Sequence, residues 1–239
     1  MEEKMFGGID VSSPEIRQLI GQVMKSSSEH EKQDKIERFR RLNRYVRPGQ
    51  ILFVGSSLME QFPIHELMLD RQLAYTIYNR GIGGLTTPEL LKVMDTCVYD
   101  LKPAYIFINI GTNDMNGPDY DRDLLMGRYQ EILQGIAMHL PEAQVWLLSY
   151  YPVNPAAGSK IVYMDYILKY RTNQRIAEAN EGVKALADKM GMHYLDVNAG
   201  LTDADGNLKA EYTVEGMHMY VDGYRVVLDN LLPTLRSLE

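Results

Sequence analysis

An α/β fold, with a parallel sheet covered by helices on both faces, is predicted by three features of the sequence. The run Ile51-Leu52-Phe53-Val54 is uniformly apolar and passes straight into Gly55-Ser56-Ser57. So short and unbroken a run suits a strand buried on both sides. A second such run, Ala104–Ile110, reads Ala-Tyr-Ile-Phe-Ile-Asn-Ile. From residue 51 onward, strand-like and helix-like segments alternate without internal repeat or low-complexity tract, the pattern of β–α units with right-handed crossovers.

Before that region, residues 1–49 read as a helical extension packed on a main domain of residues 50–239. Pro14 to Lys25 has helical spacing at Ile16, Leu19, Ile20 and Val23, with Ser13-Pro14 as its start. Ser26-Ser27-Ser28 is expected to break it. A second, amphipathic helix follows from Glu29 to Arg47, with Ile36, Phe39, Leu42 and Tyr45 or Val46 as its apolar stripe and Pro48-Gly49 as its end. Its arginines (Arg38, Arg40, Arg41, Arg44 and Arg47) either greet an anionic group or form a solvated face near acidic neighbours.

In the main domain the strands are expected at Ile51–Val54, Ala74–Asn79, Ala104–Ile110, Gln144–Tyr150 and Met192–Val197. Helices are expected over Pro88–Val98, Leu124–Leu140, Asp165 to Met190 (as one helix or two joined) and Asp222–Leu238. Tyr151–Lys160, rich in Pro, Gly and Ala, reads as a loop.

Composition narrows the function. With 45% hydrophobic and 24% charged residues, 239 residues suffice for a large core without staples. The single cysteine, Cys97, excludes an intrachain disulfide or multi-cysteine metal site and reads as a small buried hydrophobe. A net charge of −7 argues against general nucleic-acid binding. No stretch is long and apolar enough to span a bilayer, and Met-Glu-Glu-Lys-Met-Phe-Gly-Gly lacks the layout of a secretory signal, so a cytoplasmic location is expected.

Four stretches carry groups that can do chemistry, each at the end of a predicted strand or before a helix. Gly55 lets the chain turn and brings Ser57 to the carboxyl edge of the sheet, where ligands of open α/β folds bind. Ser57 is then either a nucleophile or part of an ordinary strand-to-helix turn with serine as the cap. Gly81-Ile82-Gly83-Gly84 exposes backbone N–H groups that can meet an anion, or is a turn before a helix capped by Thr86 or Thr87. Within Gly111-Thr112-Asn113-Asp114, Asn113 offers an uncharged donor for an oxyanion, or is simply a turn residue. Glu215-Gly216-Met217-His218 places a carboxylate three residues before an imidazole. In a tight turn it reaches Nδ1–H and leaves Nε2 as a base. His30, His65, His139 and His193 have no comparable company.

Taken together and in this order, the four blocks resemble the SGNH hydrolase superfamily, the GDSL esterases and lipases, and most nearly its platelet-activating-factor acetylhydrolase-like branch. The similarity covers roughly residues 50 to 235 and runs through Ser149-Tyr150-Tyr151-Pro152-Val153-Asn154-Pro155. The resemblance implies a flavodoxin-like three-layer α/β/α sandwich with a five-stranded parallel sheet of order 2-1-3-4-5. It implies Ser57 as nucleophile, His218 as general base and Glu215 as its orienter. The implied oxyanion hole is the N–H of Ser57, the N–H of Gly84 and the side-chain amide of Asn113, with no metal or organic cofactor.

Two positions depart from the family pattern: Ser56 and Glu215, where Asp is usual. The longer Glu215 needs a local adjustment to reach His218, and Asp196 and Asp222 are the substitutes to weigh. Met59 in place of glycine argues against the Gly-x-Ser-x-Gly elbow of α/β-hydrolases. The implied reaction is hydrolysis of short acyl esters, acetyl above all, on carbohydrates or other small molecules. Tyr150, Tyr151, Tyr163, Tyr166 and Tyr170 are either a sugar-binding wall or half-buried packing. The alternatives are a lysophospholipase or thioesterase for longer chains, or a non-catalytic binding module on a flavodoxin-like scaffold. The partner is expected to be a small-molecule ester, with no nucleic acid and no membrane, and residues 1–49 either cover the site's edge or mediate a homodimer.

Overall fold

The computed structural model describes residues 5–6, 9–10, 14–158 and 162–238. The proposed helix start at Ser13 and the loop end at Lys160 lie outside them. Five strands form one parallel sheet: β1 (Ile51–Gly55), β2 (Ile77–Gly81), β3 (Tyr105–Asn109), β4 (Gln144–Leu148) and β5 (His193–Leu195). Their order is β2-β1-β3-β4-β5, the flavodoxin-like order, with all pairs parallel. Every residue of β1 is buried, because this interior strand is covered on both faces.

Side chains of these strands alternate between two cores. Leu52, Val54, Ile106, Ile108, Val145 and Leu147 join the first core. It is completed by α4 (Thr87–Leu91), α5 (Met94–Cys97), α6 (Arg122–His139) and α9 (Asn173–Met190). Ile51, Phe53, Phe107, Trp146 and Leu148 form the second with α3 (Ile64–Asp70) and α10 (Val221–Arg236). Short helices α2 (Ser57–Glu60), α7 (Pro155–Gly158) and α8 (Val162–Leu168) sit in the connecting segments.

The expected helix over Pro88–Val98 is two short ones followed by a 3₁₀ turn at Tyr99–Leu101. The span from Asp165 to Met190 divides after Leu168, and Thr172 caps α9 by accepting from Arg175 N at 3.2 Å.

The N-terminal segment corrects the expected break at Ser26-Ser27-Ser28: α1 runs unbroken from Pro14 to Leu42. Serine inside a helix costs only about half a kcal/mol relative to alanine, so three do not outweigh a continuous frame. The buried stripe is also shorter than expected. Ile36 and Phe39 are buried and Val46, not Tyr45, packs partly buried against the same core, while Leu42 and Tyr45 are exposed where the chain tightens into a 3₁₀ turn at Asn43–Tyr45. Arg40 and Arg41 pair with Glu37 on the solvent side.

Arg80, buried on β2, anchors α1. Its Nε and Nη2 donate to Asn43 Oδ1 at 3.2 and 2.9 Å, and its guanidinium lies 4.8 Å from the centre of the Phe39 ring. Further along α1, Lys32 pairs with Glu89 at 2.8 Å and Lys35 with Glu60, so this helix flanks the carboxyl edge of the sheet. Among the described residues no helix is long and apolar enough to cross a membrane.

Cys97 is fully buried, and burial pushes its thiol up to about 12. The thiolate is the reactive form. Iodoacetamide at pH 8 should therefore leave the folded protein unmodified and alkylate one cysteine after denaturation; rapid labelling of the native protein would contradict this burial.

Candidate active site

Strand β1 delivers Ser57 to the carboxyl edge. Ser56 is extended (φ −99°, ψ −151°), and its carbonyl accepts from Met59 N at 3.1 Å and Glu60 N at 2.9 Å, starting the turn of α2. The capping explanation fails at the side chain: Ser56 makes no cap bond, and its buried Oγ has no partner among the described residues. Ser57 Oγ instead lies 2.9 Å from His218 Nε2, although 161 residues separate the two in sequence.

His218 is held by its own loop. Thr213 and Met219 form an antiparallel bridge, Val214 N donates to His218 O at 2.8 Å, and Gly216 N donates to Thr213 Oγ1 at 2.8 Å. Gly216 has φ +97°, and a Cβ there would meet Asn154 O at 2.5 Å, so only glycine closes this turn.

Within it, Glu215 Oε1 accepts the His218 backbone N–H at 3.0 Å and faces Nδ1 at 2.6 Å. The tight turn thereby absorbs the extra methylene of glutamate. Burial raises the Glu215 carboxyl, but the hydrogen bonds from the His218 ring and backbone outweigh it and hold the group below the usual carboxylate range. A carboxylate at Nδ1 places the proton there and leaves Nε2 to accept from Ser57 Oγ–H. The two substitutes are elsewhere: Asp196 accepts from Ser149 Oγ and Asn198 N, and Asp222 is exposed in the first turn of α10.

The glycine loop follows β2. Gly81 packs so closely against α2 that a Cβ would stand 2.2 Å from Glu60 N. Gly84 has φ +69° and is exposed. Thr86, not Thr87, occupies the cap of α4, in a reciprocal capping box with Glu89.

The loop after β3 clamps this one from the other side. Asn113 Nδ2 donates to Leu85 O at 2.9 Å, and Asp114 accepts from Thr87 N at 3.0 Å and from Thr87 Oγ1 at 2.6 Å. Among the described residues, neither the Ser57 nor the Gly84 backbone N–H is engaged by an acceptor. The same residues contain no group of three or more His, Cys, Asp or Glu side chains arranged to hold a metal.

Tyr150 and Tyr151 are buried, with Tyr150 Oη donating to Ile110 O at 2.7 Å, so they are core packing and not a ligand wall. Arg171, which no sequence pattern singles out, is buried beside Asn113 and donates to its Oδ1 at 2.8 Å. In the sequence it lies inside the span from Asp165 to Met190 expected to be helical, where a lone arginine carries no signal of burial.

Comparison with known proteins places this architecture. The chain is 24% identical over 203 residues to platelet-activating factor acetylhydrolase IB subunit alpha2 of Rattus norvegicus, covering 82% of each. It is 25% identical over 186 residues to the alpha1 subunit of Bos taurus, covering 74% of this chain and 71% of that one.

Among solved structures, a Streptococcus pneumonia protein provisionally described as a platelet activating factor shares 32% identity at a TM-score of 0.81, covering 91% of this chain and 99% of the other. An acetylxylan esterase from Geobacillus stearothermophilus superposes at a TM-score of 0.59 with 17% identity, covering 79% and 94%. Residues 53–226 match the profile of the GDSL-like lipase/acylhydrolase family. The chain therefore belongs to the GDSL-like lipase/acylhydrolase family of SGNH hydrolases and is a carboxylic ester hydrolase.

Proposed function

We propose that the protein hydrolyses short acyl esters, acetyl esters of carbohydrates or similar small molecules, through an acyl-enzyme on Ser57. The observation that carries this reading is the unbroken contact from Glu215 through His218 to Ser57 Oγ. His218 Nε2 takes the hydroxyl proton as Oγ attacks the ester carbonyl. The carbonyl oxygen gains the negative charge, which the N–H groups of Ser57 and Gly84 and the amide of Asn113 receive. The imidazolium, stabilised by the Glu215 carboxylate, then gives its proton to the departing alkoxide. In the second half His218 takes a proton from water, whose oxygen attacks the acyl carbon. Collapse of that adduct releases the acid and returns the proton to Ser57.

One feature favours a short acyl group. An apolar cavity of about 490 Å³, walled by Tyr99, Pro103, Leu140 and Pro141, lies by Gly49 and Ala104, which precede β1 and β3. It is thus at the opposite end of the strands from Ser57. The names of the acetylhydrolase and acetylxylan esterase relatives point the same way.

Rates on p-nitrophenyl acetate, butyrate and octanoate test the assignment. Acetate is expected to exceed octanoate in kcat/KM by on the order of 10-fold or more. A maximum at octanoate would instead support a lysophospholipase or thioesterase.

A further inference from the structure

Arg171 lies at the junction of α8 and α9, its backbone N–H bonded to Ile167 O at 2.9 Å, and its side chain is 2% exposed. Its three donor positions reach three groups. Nη2 donates to Asn113 Oδ1 at 2.8 Å, Nε to Asn116 Oδ1 at 2.9 Å, and Nη1 contacts Met217 Sδ. None of these acceptors is a carboxylate. Burial lowers the guanidinium to about 10, so it remains a cation at neutral pH. Its hydrogen-bond acceptors are all neutral, and the carboxylates of Asp114 and Glu215 offset its charge without bonding to it; so placed, a buried cation is expensive, and an apolar side chain of similar volume often serves stability as well or better.

What the cation does provide is an orientation. The two ends of the Asn113 carboxamide are nearly equal in shape but opposite in hydrogen bonding. With Oδ1 against the guanidinium, Nδ2 donates to Leu85 O and keeps a second N–H for another acceptor. Flipped, the amide would set N–H₂ against Arg171 and oxygen against the Leu85 carbonyl, two repulsive contacts. A charge-assisted bond at Oδ1 also draws electron density from the amide and makes its remaining N–H a stronger donor. Through Met217, the neighbour of His218, the same guanidinium braces the loop after β3 against the loop that carries the imidazole.

We propose that Arg171 is a positioning residue for ester hydrolysis: its guanidinium holds the Asn113 amide in the orientation that donates to the oxyanion and keeps that amide in register with His218. This rests on the reading of Asn113 as an oxyanion donor. A double-mutant cycle separates the two claims, with kcat and KM measured on p-nitrophenyl acetate and thermal unfolding followed for each variant.

Asn113→Ala is expected to lower kcat by about 10²–10³-fold. Arg171→Gln, which removes the charge, is expected to lower kcat by about 10²-fold with KM changed less than about 3-fold. Arg171→Lys, which keeps the charge but not the fork, should fall between, at about 10-fold. In the Asn113→Ala background either Arg171 substitution should cost less than about 3-fold, because its target is already gone.

If Asn113→Ala leaves turnover intact, the oxyanion assignment fails, and the proposal with it. If Asn113→Ala is slow but the Arg171 variants are not, or lose the same factor in both backgrounds, only the proposal is overturned. Should Arg171→Gln not fold, the cycle is read from Arg171→Lys; if neither folds, Arg171 serves stability and the proposal is wrong.

Discussion

Ser57→Ala is expected to lower kcat on p-nitrophenyl acetate by about 10⁶-fold, the scale seen when a nucleophile working as one unit with its base is removed. His218→Ala should fall to the same residual rate. Combining the two should cost almost nothing more, because the 2.9 Å contact makes neither group useful alone. Ser57 is only partly buried and its hydroxyl meets His218 at the crevice, so Ser57→Ala should unfold at nearly the wild-type temperature. Trp146, the single tryptophan, stacked on Phe107 and His193 in the second core, reports that transition by fluorescence. A fluorophosphonate should modify one peptide, the one containing Ser57. Modification at another serine, or an active Ser57→Ala variant, would remove Ser57 from the reaction.

Glu215→Gln is expected to cost about 10⁴-fold in kcat, since an amide can present N–H to Nδ1 and stabilise the wrong imidazole tautomer. The carboxylate also accepts the His218 backbone N–H, so the substitution weakens the turn as well as the charge. Glu215→Asp keeps the charge but withdraws it by one methylene, and should retain more activity than Glu215→Gln.

A second readout follows from linkage. The Glu215 carboxyl is held below its unfolded value, so its contribution to stability is complete above the unfolded pKa of about 4.3 and is lost as pH falls through the lower folded value. Wild type should therefore lose its stability advantage over Glu215→Gln on acidification below about pH 4. An advantage that persisted unchanged to pH 2 would show that Glu215 is not ionised and bonded as described.

Much of this molecule is legible along the chain. Ile51–Val54 and Ala104–Ile110 declare buried strands because a strand covered on both faces is filled almost wholly by apolar side chains; the amide among them, Asn109, is buried with its Nδ2 donating to Ser149 O. Glu215 and His218 are likewise close in sequence, and a three-residue separation in a glycine turn suffices to join them. The three serines at 26–28 misled because propensity near a helix centre is a weak force beside continuity of the frame. Tyr150 and Tyr151 left a ligand wall and packing both open, because an aromatic pair reads alike in either, and only their burial decides for packing.

Pattern along the chain is enough for the β–α alternation and the two-sided burial of the inner strands. Those depend on the polarity of neighbouring residues. Folding in three dimensions was needed to show that His218 meets Ser57 across 161 residues with Glu215 and not Asp196 or Asp222 behind it, that Arg171 is buried, and which way the Asn113 amide faces. The physical reason is that a charged or amide side chain takes its environment from acceptors on other loops. Asn113, Asn116 and Met217 acquire a shared neighbour only when the sheet gathers those loops at one edge.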